Sequence, residues 1–172
     1  MPYKKFLEPI LGNVLLDMGG SVLTRGTQNK RSVFKIDNEK KIAPIICYES
    51  VYGEYVTQYV RNGANILAII TNDGWWSESQ GYKQHLSYAR IRAIETRRNI
   101  VRSANTGSSA IINFNGELIE KLDYNVKGII NAKVATINKL TFYVKYGDYI
   151  FRISLFFFII ILLFSLGKKK NY

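Results

Sequence analysis

The sequence predicts an α/β domain followed by one membrane-crossing helix, and three observations carry that reading. Ile66–Ile70 and the stretch within Lys41–Cys47 are near-continuous apolar runs, the mark of buried strands. Segments with helical spacing, Val51–Arg61 and Tyr82–Arg98, alternate with them, as in layered α/β domains. Tyr149–Leu166, YIFRISLFFFIIILLFSL, is apolar all round and is followed by Lys168, Lys169 and Lys170.

Taken in order, residues 1–31 are interrupted by Gly12, Gly19, Gly20 and Gly26 and read as loop-rich. Ser32–Ile36 and Lys41–Cys47 read as strands joined at Asp37-Asn38-Glu39. Val51–Arg61 is a helix stopped by Asn62-Gly63. After the strand Ile66–Ile70 comes a helix over Tyr82–Arg98. Strands follow at Ile100–Arg102, Ser109–Phe114 and Leu118–Ile119, the last two joined by the hairpin pair Asn115-Gly116. Gly128–Val134 reads as one more strand. The domain is expected over 32–145, the membrane helix over 146–167, and a basic cytoplasmic tail over 168–172. By the positive-inside rule the lysines stay in the cytoplasm, so the domain faces outward, with Arg152 snorkelling to the opposite interface.

Composition narrows the chemistry. The chain has 172 residues, 47% hydrophobic and 22% charged, a balance that supports a packed core. A net charge of +11 raises nucleic acid or anionic lipid as a partner. The basic residues are scattered and no nucleic-acid-binding signature is present, so the reading is membrane and no nucleic acid. One cysteine and one histidine leave no room for an internal disulfide, a thiolate zinc site or a multi-histidine metal site. No metal or cofactor is expected.

The single thiol is the centre of interest. Ala43-Pro44-Ile45-Ile46-Cys47-Tyr48-Glu49-Ser50 runs from a strand into a helix, placing Cys47 where free N–H groups and a helix dipole favour a thiolate. A free cysteine at such a position is equally a small core residue. Thr71-Asn72-Asp73-Gly74-Trp75-Trp76 also follows a strand, at the sheet end where α/β ligand crevices form, and Ser103-Ala104-Asn105-Thr106-Gly107 sits between two strands. Arg92, Glu95 and Arg98 share i, i+3 spacing and read as an ion-pair network bracing the site, or as a solvated helix face. His85 reads as a structural histidine.

Four segments in this order, ICYE, TNDGWW, QHLxxARxRAIExxR and RSANTGxSAII, resemble the second half of a carbon–nitrogen hydrolase (nitrilase superfamily) domain. In particular they resemble the apolipoprotein N-acyltransferases, which also end in a membrane helix. The resemblance implies a partial α-β-β-α sandwich with one apolar sheet face uncovered. It implies acyl transfer from a membrane phospholipid, through a Cys47 thioester, to the N-terminal diacylglyceryl-cysteine of an apolipoprotein, in a cell inner membrane with the catalytic domain periplasmic. Tyr48, Asn72, Trp75, Trp76 and Asn105 would line the site. Glu49 would support it, or simply sit favourably in the first helical turn. The superfamily triad adds a glutamate and a lysine upstream of the cysteine. Neither is found in this sequence, Lys4 and Lys5 reading as flanking residues, so a fragment inactive alone is expected. The competing readings are an amidase hydrolysing C–N bonds and an inactive tail-anchored remnant.

Overall fold

The computed structural model describes residues 28–168. The loop-rich reading of 1–31 up to residue 27, and the basic tail beyond Lys168, lie outside the described residues. The elements run β1 (Phe34–Lys35), β2 (Lys41–Ile46), a 3-10 turn (Cys47–Val51), α1 (Gly53–Arg61), β3 (Ile66–Thr71) and a second 3-10 turn (Gly74–Trp76). They continue with α2 (Gln80–Thr96), β4 (Asn99–Ala104), β5 (Ser109–Ile112), β6 (Leu118–Leu122), α3 (Phe142–Tyr146) and α4 (Tyr149–Lys168).

The six strands form one sheet in chain order. β2, β3 and β4 run parallel, linked by α1 and α2, while β1, β5 and β6 add antiparallel edges. Strand alternation divides the side chains between two faces. Ala43, Ile45, Leu67, Ile69, Ile100, Ala110 and Ile112 have no exposure and pack with Val56, Val60, Ala89 and Ala93 of α1 and α2. On the other face Ile46 and Ile70 are half exposed and Val101 more than a third, while Ile66 and Ile111 are buried, so that face is only partly covered among the described residues. The register places Ile45, Ile69 and Arg102 side by side on the covered face. A guanidinium in that row needs a buried counter-charge.

Local chemistry sets the element ends. The Ser79 hydroxyl caps α2 by accepting from the Gly81 N–H, and the helix stops at Arg97, whose φ of 52° is left-handed. Asn113 O accepts from Gly116 N at 2.8 Å in the Asn115-Gly116 hairpin, where Gly116 takes a φ of 83°.

Two expectations are corrected. The first helix begins at Gly53 rather than Val51, because the chain first makes the 3-10 turn after Cys47. Gly128–Val134 forms no strand. From Ile130 to Val134 alternate residues are half-buried without a strand partner, and just beyond the segment backbone carbonyls are taken by side chains. Asn99 Nδ2 donates to Ala135 O at 2.6 Å and Arg98 Nη1 donates to Lys139 O at 3.0 Å.

α3 docks the end of the domain: Val144 is fully buried, its carbonyl accepts from Arg61 Nε at 2.6 Å, and Thr141 Oγ1 donates to Glu95 O at 2.6 Å. After Gly147, α4 carries a 19-residue stretch with a mean hydropathy of 2.5 and none of it buried. That is one helix long and apolar enough to cross a membrane. Arg152 turns back to the domain, its Nη2 lying 2.6 Å from Glu54 Oε1.

Arg98 follows the end of α2, and its guanidinium bonds to the carbonyls of Ala64, Thr96, Arg97 and Lys139. Burial lowers its pKa to about 10, which leaves it charged at neutral pH. Truncating it orphans these carbonyls, so Arg98→Ala is expected to lower stability by about 3 kcal/mol. A fall in the urea midpoint at unchanged slope would show this, with Arg98→Lys recovering only part because an ammonium cannot fork among four acceptors.

Candidate active site

Three sheet-end segments meet at the carboxyl ends of the parallel strands. Asp73 N donates to Thr106 O at 2.6 Å and Asn105 N to Thr71 O at 2.9 Å, so the loops after β3 and β4 stay laced together beyond the ladder. Cys47, directly after β2, stands beside them and is partly exposed.

Cys47 has a φ of 51°, in the left-handed region that a non-glycine residue occupies at a cost of about 1–3 kcal/mol. What holds it there is visible. Its carbonyl lies 2.9 Å from Ser50 Oγ, which donates to it, and 3.2 Å from His85 Nε2. Glu49 reaches backward, accepting from Ile46 N at 2.8 Å and from the Tyr55 hydroxyl. Both carboxylate oxygens are thus engaged in shaping the bend. The favourable dipole expected from a helix starting at the cysteine is absent in that form, since the five-residue 3-10 turn intervenes.

Beneath the sulfur lies a buried polar cluster. Thr71 Oγ1 is 3.3 Å from Cys47 Sγ and 2.9 Å from Asp73 Oδ1. Asp73, with no exposure, also receives His85 Nδ1 at 2.8 Å and Arg102 Nη2 at 2.6 Å. Burial by itself would raise the Asp73 carboxyl, but the bonds from His85, Arg102 and Thr71 outweigh it and hold its pKa below the usual carboxylate range. Arg102 Nη1 continues to Ser108 O. Gly107, at a φ of 128°, fits only without a side chain: a Cβ there would stand 2.6 Å from Asp73 Oδ2.

The residues singled out from sequence fall into two groups. Cys47, Tyr48, Glu49, Asn72, Trp75, Trp76 and Asn105 all lie at this sheet end. Tyr48 and Trp75 are largely exposed, and Tyr48, Trp76 and His85 have ring centroids within 6.3 Å of one another. Trp76 lies against Gly81, where a Cβ would collide with its indole. Asn72 Oδ1 accepts from Gly74 N at 3.1 Å and so shapes its own turn. Arg92 and Glu95 form an ion pair, Nε to Oε2 at 3.0 Å, and Arg92 Nη1 donates to Val51 O at 3.1 Å at the exit of the 3-10 turn. Arg98 is not in that network. It precedes β4, beside Ala64 before β3, and so sits at the far end of the parallel strands. A cleft of about 600 Å³ also lies at that far end, lined by Lys41, Arg61, Asn65 and Arg98.

Sequence reasoning missed Thr71, Asp73 and Arg102 as site residues, and took His85 as structural without seeing what it serves. Arg102 was traceable: it is two residues from Ile100 on a strand, hence on the same face as a core residue.

Two consequences are measurable. Gly107→Ala is expected to destabilise the fold by about 1–3 kcal/mol, because it meets both an unfavourable φ and the Asp73 carboxylate. Calorimetric or urea unfolding would read it. Asp73 has a folded pKa below its unfolded value, so the stability it confers is complete above about pH 4 and is lost as pH falls through the lower folded value. Asp73→Asn should therefore be less stable at neutral pH and should lose less further stability below about pH 4 in urea titrations run across pH.

Comparison with known proteins agrees with this layout. Residues 6–138 match the carbon-nitrogen hydrolase family. The apolipoprotein N-acyltransferase of Wigglesworthia glossinidia brevipalpis is 38% identical over 166 residues, covering 94% of this chain and 31% of that protein. The protein of the same name from Thermotoga maritima is 32% identical over 123 residues, covering 72% of this chain and 24% of the relative. The chain therefore spans about a third or less of the length of these relatives. Among solved structures, a carbon-nitrogen hydrolase from Helicobacter pylori G27 aligns with a TM-score of 0.53 at 16% identity, over 60% of this chain and 43% of that one, which supports the fold. With its mixed sheet, its ordered motifs and a family match across most of its length, the chain belongs to the carbon–nitrogen hydrolase family.

Proposed function

We propose that the chain provides the nucleophilic part of an N-acyltransferase that loads a fatty acyl group from membrane phospholipid onto Cys47 and passes it to the terminal amine of a diacylglyceryl-cysteine on an apolipoprotein. The observation that carries this is the partly exposed thiol on a left-handed bend at the sheet end, in a chain that also holds a membrane-length apolar helix. The relatives' shared name supports the same reaction.

In the first half-reaction the Cys47 thiolate attacks the carbonyl carbon of the phospholipid ester. The tetrahedral adduct expels the lysophospholipid alkoxide, which takes a proton, and a thioester remains. In the second, a neutral amine attacks that thioester, loses its proton to a base and expels the thiolate. The upstream glutamate and lysine of the superfamily would manage these protons. Among the described residues the hydrogen bond to Sγ comes from Thr71, and Asp73 is committed to Arg102 and His85. Tyr48, Trp75 and Trp76 form the aromatic rim along which the donor would lie, with Asn72 and Asn105 at its edge. The domain would face the periplasmic side of the inner membrane, with the terminal lysines in the cytoplasm.

Phospholipid labelled in its acyl chain tests the reading in mixed micelles. With a segment bearing the superfamily's upstream glutamate and lysine supplied ahead of it, the wild-type protein should take up label that hydroxylamine releases, Cys47→Ala should take up none, and a diacylglyceryl-cysteine peptide should discharge the label as an amide. Label retained by Cys47→Ala would refute the nucleophile. Discharge to free fatty acid at the same rate with and without peptide would favour the amidase reading.

A further inference from the structure

We propose that Thr71 is a further catalytic residue, a hydroxyl switch whose single proton turns from the Asp73 carboxylate to the Cys47 sulfur as the thiol becomes a thiolate. This deepens the preceding reading and rests on Cys47 being the nucleophile. The argument begins with counting donors. Asp73 is offered three hydrogen bonds: Thr71 Oγ1 and His85 Nδ1 on Oδ1, and Arg102 Nη2 on Oδ2. Two of them come from groups that nothing else at the site can replace. The third, from Thr71, is held by an oxygen that also lies 3.3 Å from Cys47 Sγ. A hydroxyl has one proton and two acceptor sites, so Thr71 cannot donate to both neighbours at once.

While the sulfur is a thiol, its S–H is itself a donor. Thr71 can then give its proton to Asp73 and accept from Cys47, and every group is satisfied. When the S–H proton leaves to a base, the sulfur has only lone pairs to offer. Both acceptors of the Thr71 hydroxyl are then ionised, but Asp73 keeps donors on both oxygens from His85 and Arg102, whereas among the described residues Thr71 is the side chain that reaches the sulfur, so rotation satisfies a charge that otherwise lacks a donor. Asp73 is not stranded by this, because His85 and Arg102 still hold both of its oxygens. Arg102 has a second role: its charge offsets that of Asp73, so the thiolate forms beside a compensated pair rather than a bare carboxylate.

The other groups that bear on the sulfur's charge are Tyr48 and Glu49 on its own turn, His85 from α2 and Arg102 from β4. The Glu49 carboxylate is already occupied by Ile46 N and the Tyr55 hydroxyl. Thr71 is almost wholly buried and comes from the last position of β3, with its own carbonyl taken by Asn105 N, so the hydroxyl is the only part of it free to turn. Serine supplies the same hydroxyl. Valine keeps the shape and lacks it.

Cys47 is the chain's only thiol, so alkylation by iodoacetamide across pH reports this sulfur alone. Thr71→Val should shift the rate profile to higher pH and slow alkylation at pH 7 by about 5–10-fold, the net worth of roughly one hydrogen bond. Thr71→Ser should stay within about twofold of wild type. A folded Thr71→Val whose profile overlays wild type overturns the switch, as does a Thr71→Ser as slow as the valine variant. Should Thr71→Val fail to fold, the wild-type S–H infrared stretch decides: it must lie below that of the urea-unfolded chain, and coincident frequencies refute the contact. Iodoacetamide needs neither phospholipid nor acceptor, so the switch can fail while acyl labelling of Cys47 succeeds, and the reverse outcome is equally distinguishable.

Discussion

The carboxylate of Asp73 is the group on which this sheet end depends. It is fully buried, and an isolated buried carboxylate would be too costly to keep charged. Its partners come from separate elements: Arg102 from β4, His85 from α2 and Thr71 from the end of β3. Each is itself a group that would be expensive to bury alone. Arg102 in particular occupies a row of the covered face otherwise held by Ile45 and Ile69. The cluster is therefore mutually required: removing one member leaves another orphaned in a dry layer, a loss larger than the pair's net worth.

That over-determination is what allows a strained cysteine. A cysteine with left-handed φ relaxes unless its surroundings forbid it. Here the peptide after Cys47 is fixed through its carbonyl by Ser50, whose hydroxyl lies 3.0 Å from Nε2 of His85, a ring oriented by Asp73. Glu49 closes the other side of the bend through Ile46 N. The short 3-10 turn follows from this geometry: the chain must come off a strand, turn sharply at Cys47, and only then settle into α1.

Much of the fold could be read in the sequence because it rests on local signals. Apolar runs marked β2 and β3, helical spacing marked α1 and α2, and Asn115-Gly116 marked the β5–β6 turn. Cys47 and the Thr71–Trp76 loop were assigned to one sheet end because each follows a buried strand, and β2 and β3 are parallel neighbours. What failed had a different origin. The Arg92, Glu95, Arg98 pattern was extended past the true helix end, since nothing local announces that Arg97 adopts the left-handed conformation. Gly128–Val134 has strand-like alternation, but pairing depends on a free ladder edge, which alternation alone does not supply. Asp73 was hidden inside a polar, loop-like string, where exposure is the natural assumption. Its burial is legible only once Arg102 is seen to share a face with Ile100 and to need a counter-charge.

The first turn of α1 links this site to the membrane-length helix. Tyr55 holds Glu49, which shapes the Cys47 bend, while the adjacent Glu54 accepts from Asp148 N at 2.8 Å and pairs with Arg152 of α4. Consecutive helical residues point about 100° apart, so one turn can grip two structures on different sides without conflict. A Cβ on Gly53, immediately before them, would displace the Tyr143 hydroxyl and the Arg92 guanidinium, and one on Gly147, which has a φ of 70°, would displace the Glu54 carboxylate. The two glycines let α3 and α4 approach α1 closely. The exposed Glu54–Arg152 pair adds little energy alone. Its value is positional: with Val144 buried and α3 docked, only Gly147 and Asp148 separate the domain from α4. The proposed reaction on lipid would need the Cys47 thiol held at a set height above the bilayer. A turn shared by the cysteine's bend and the start of the apolar helix would supply that with two adjacent side chains.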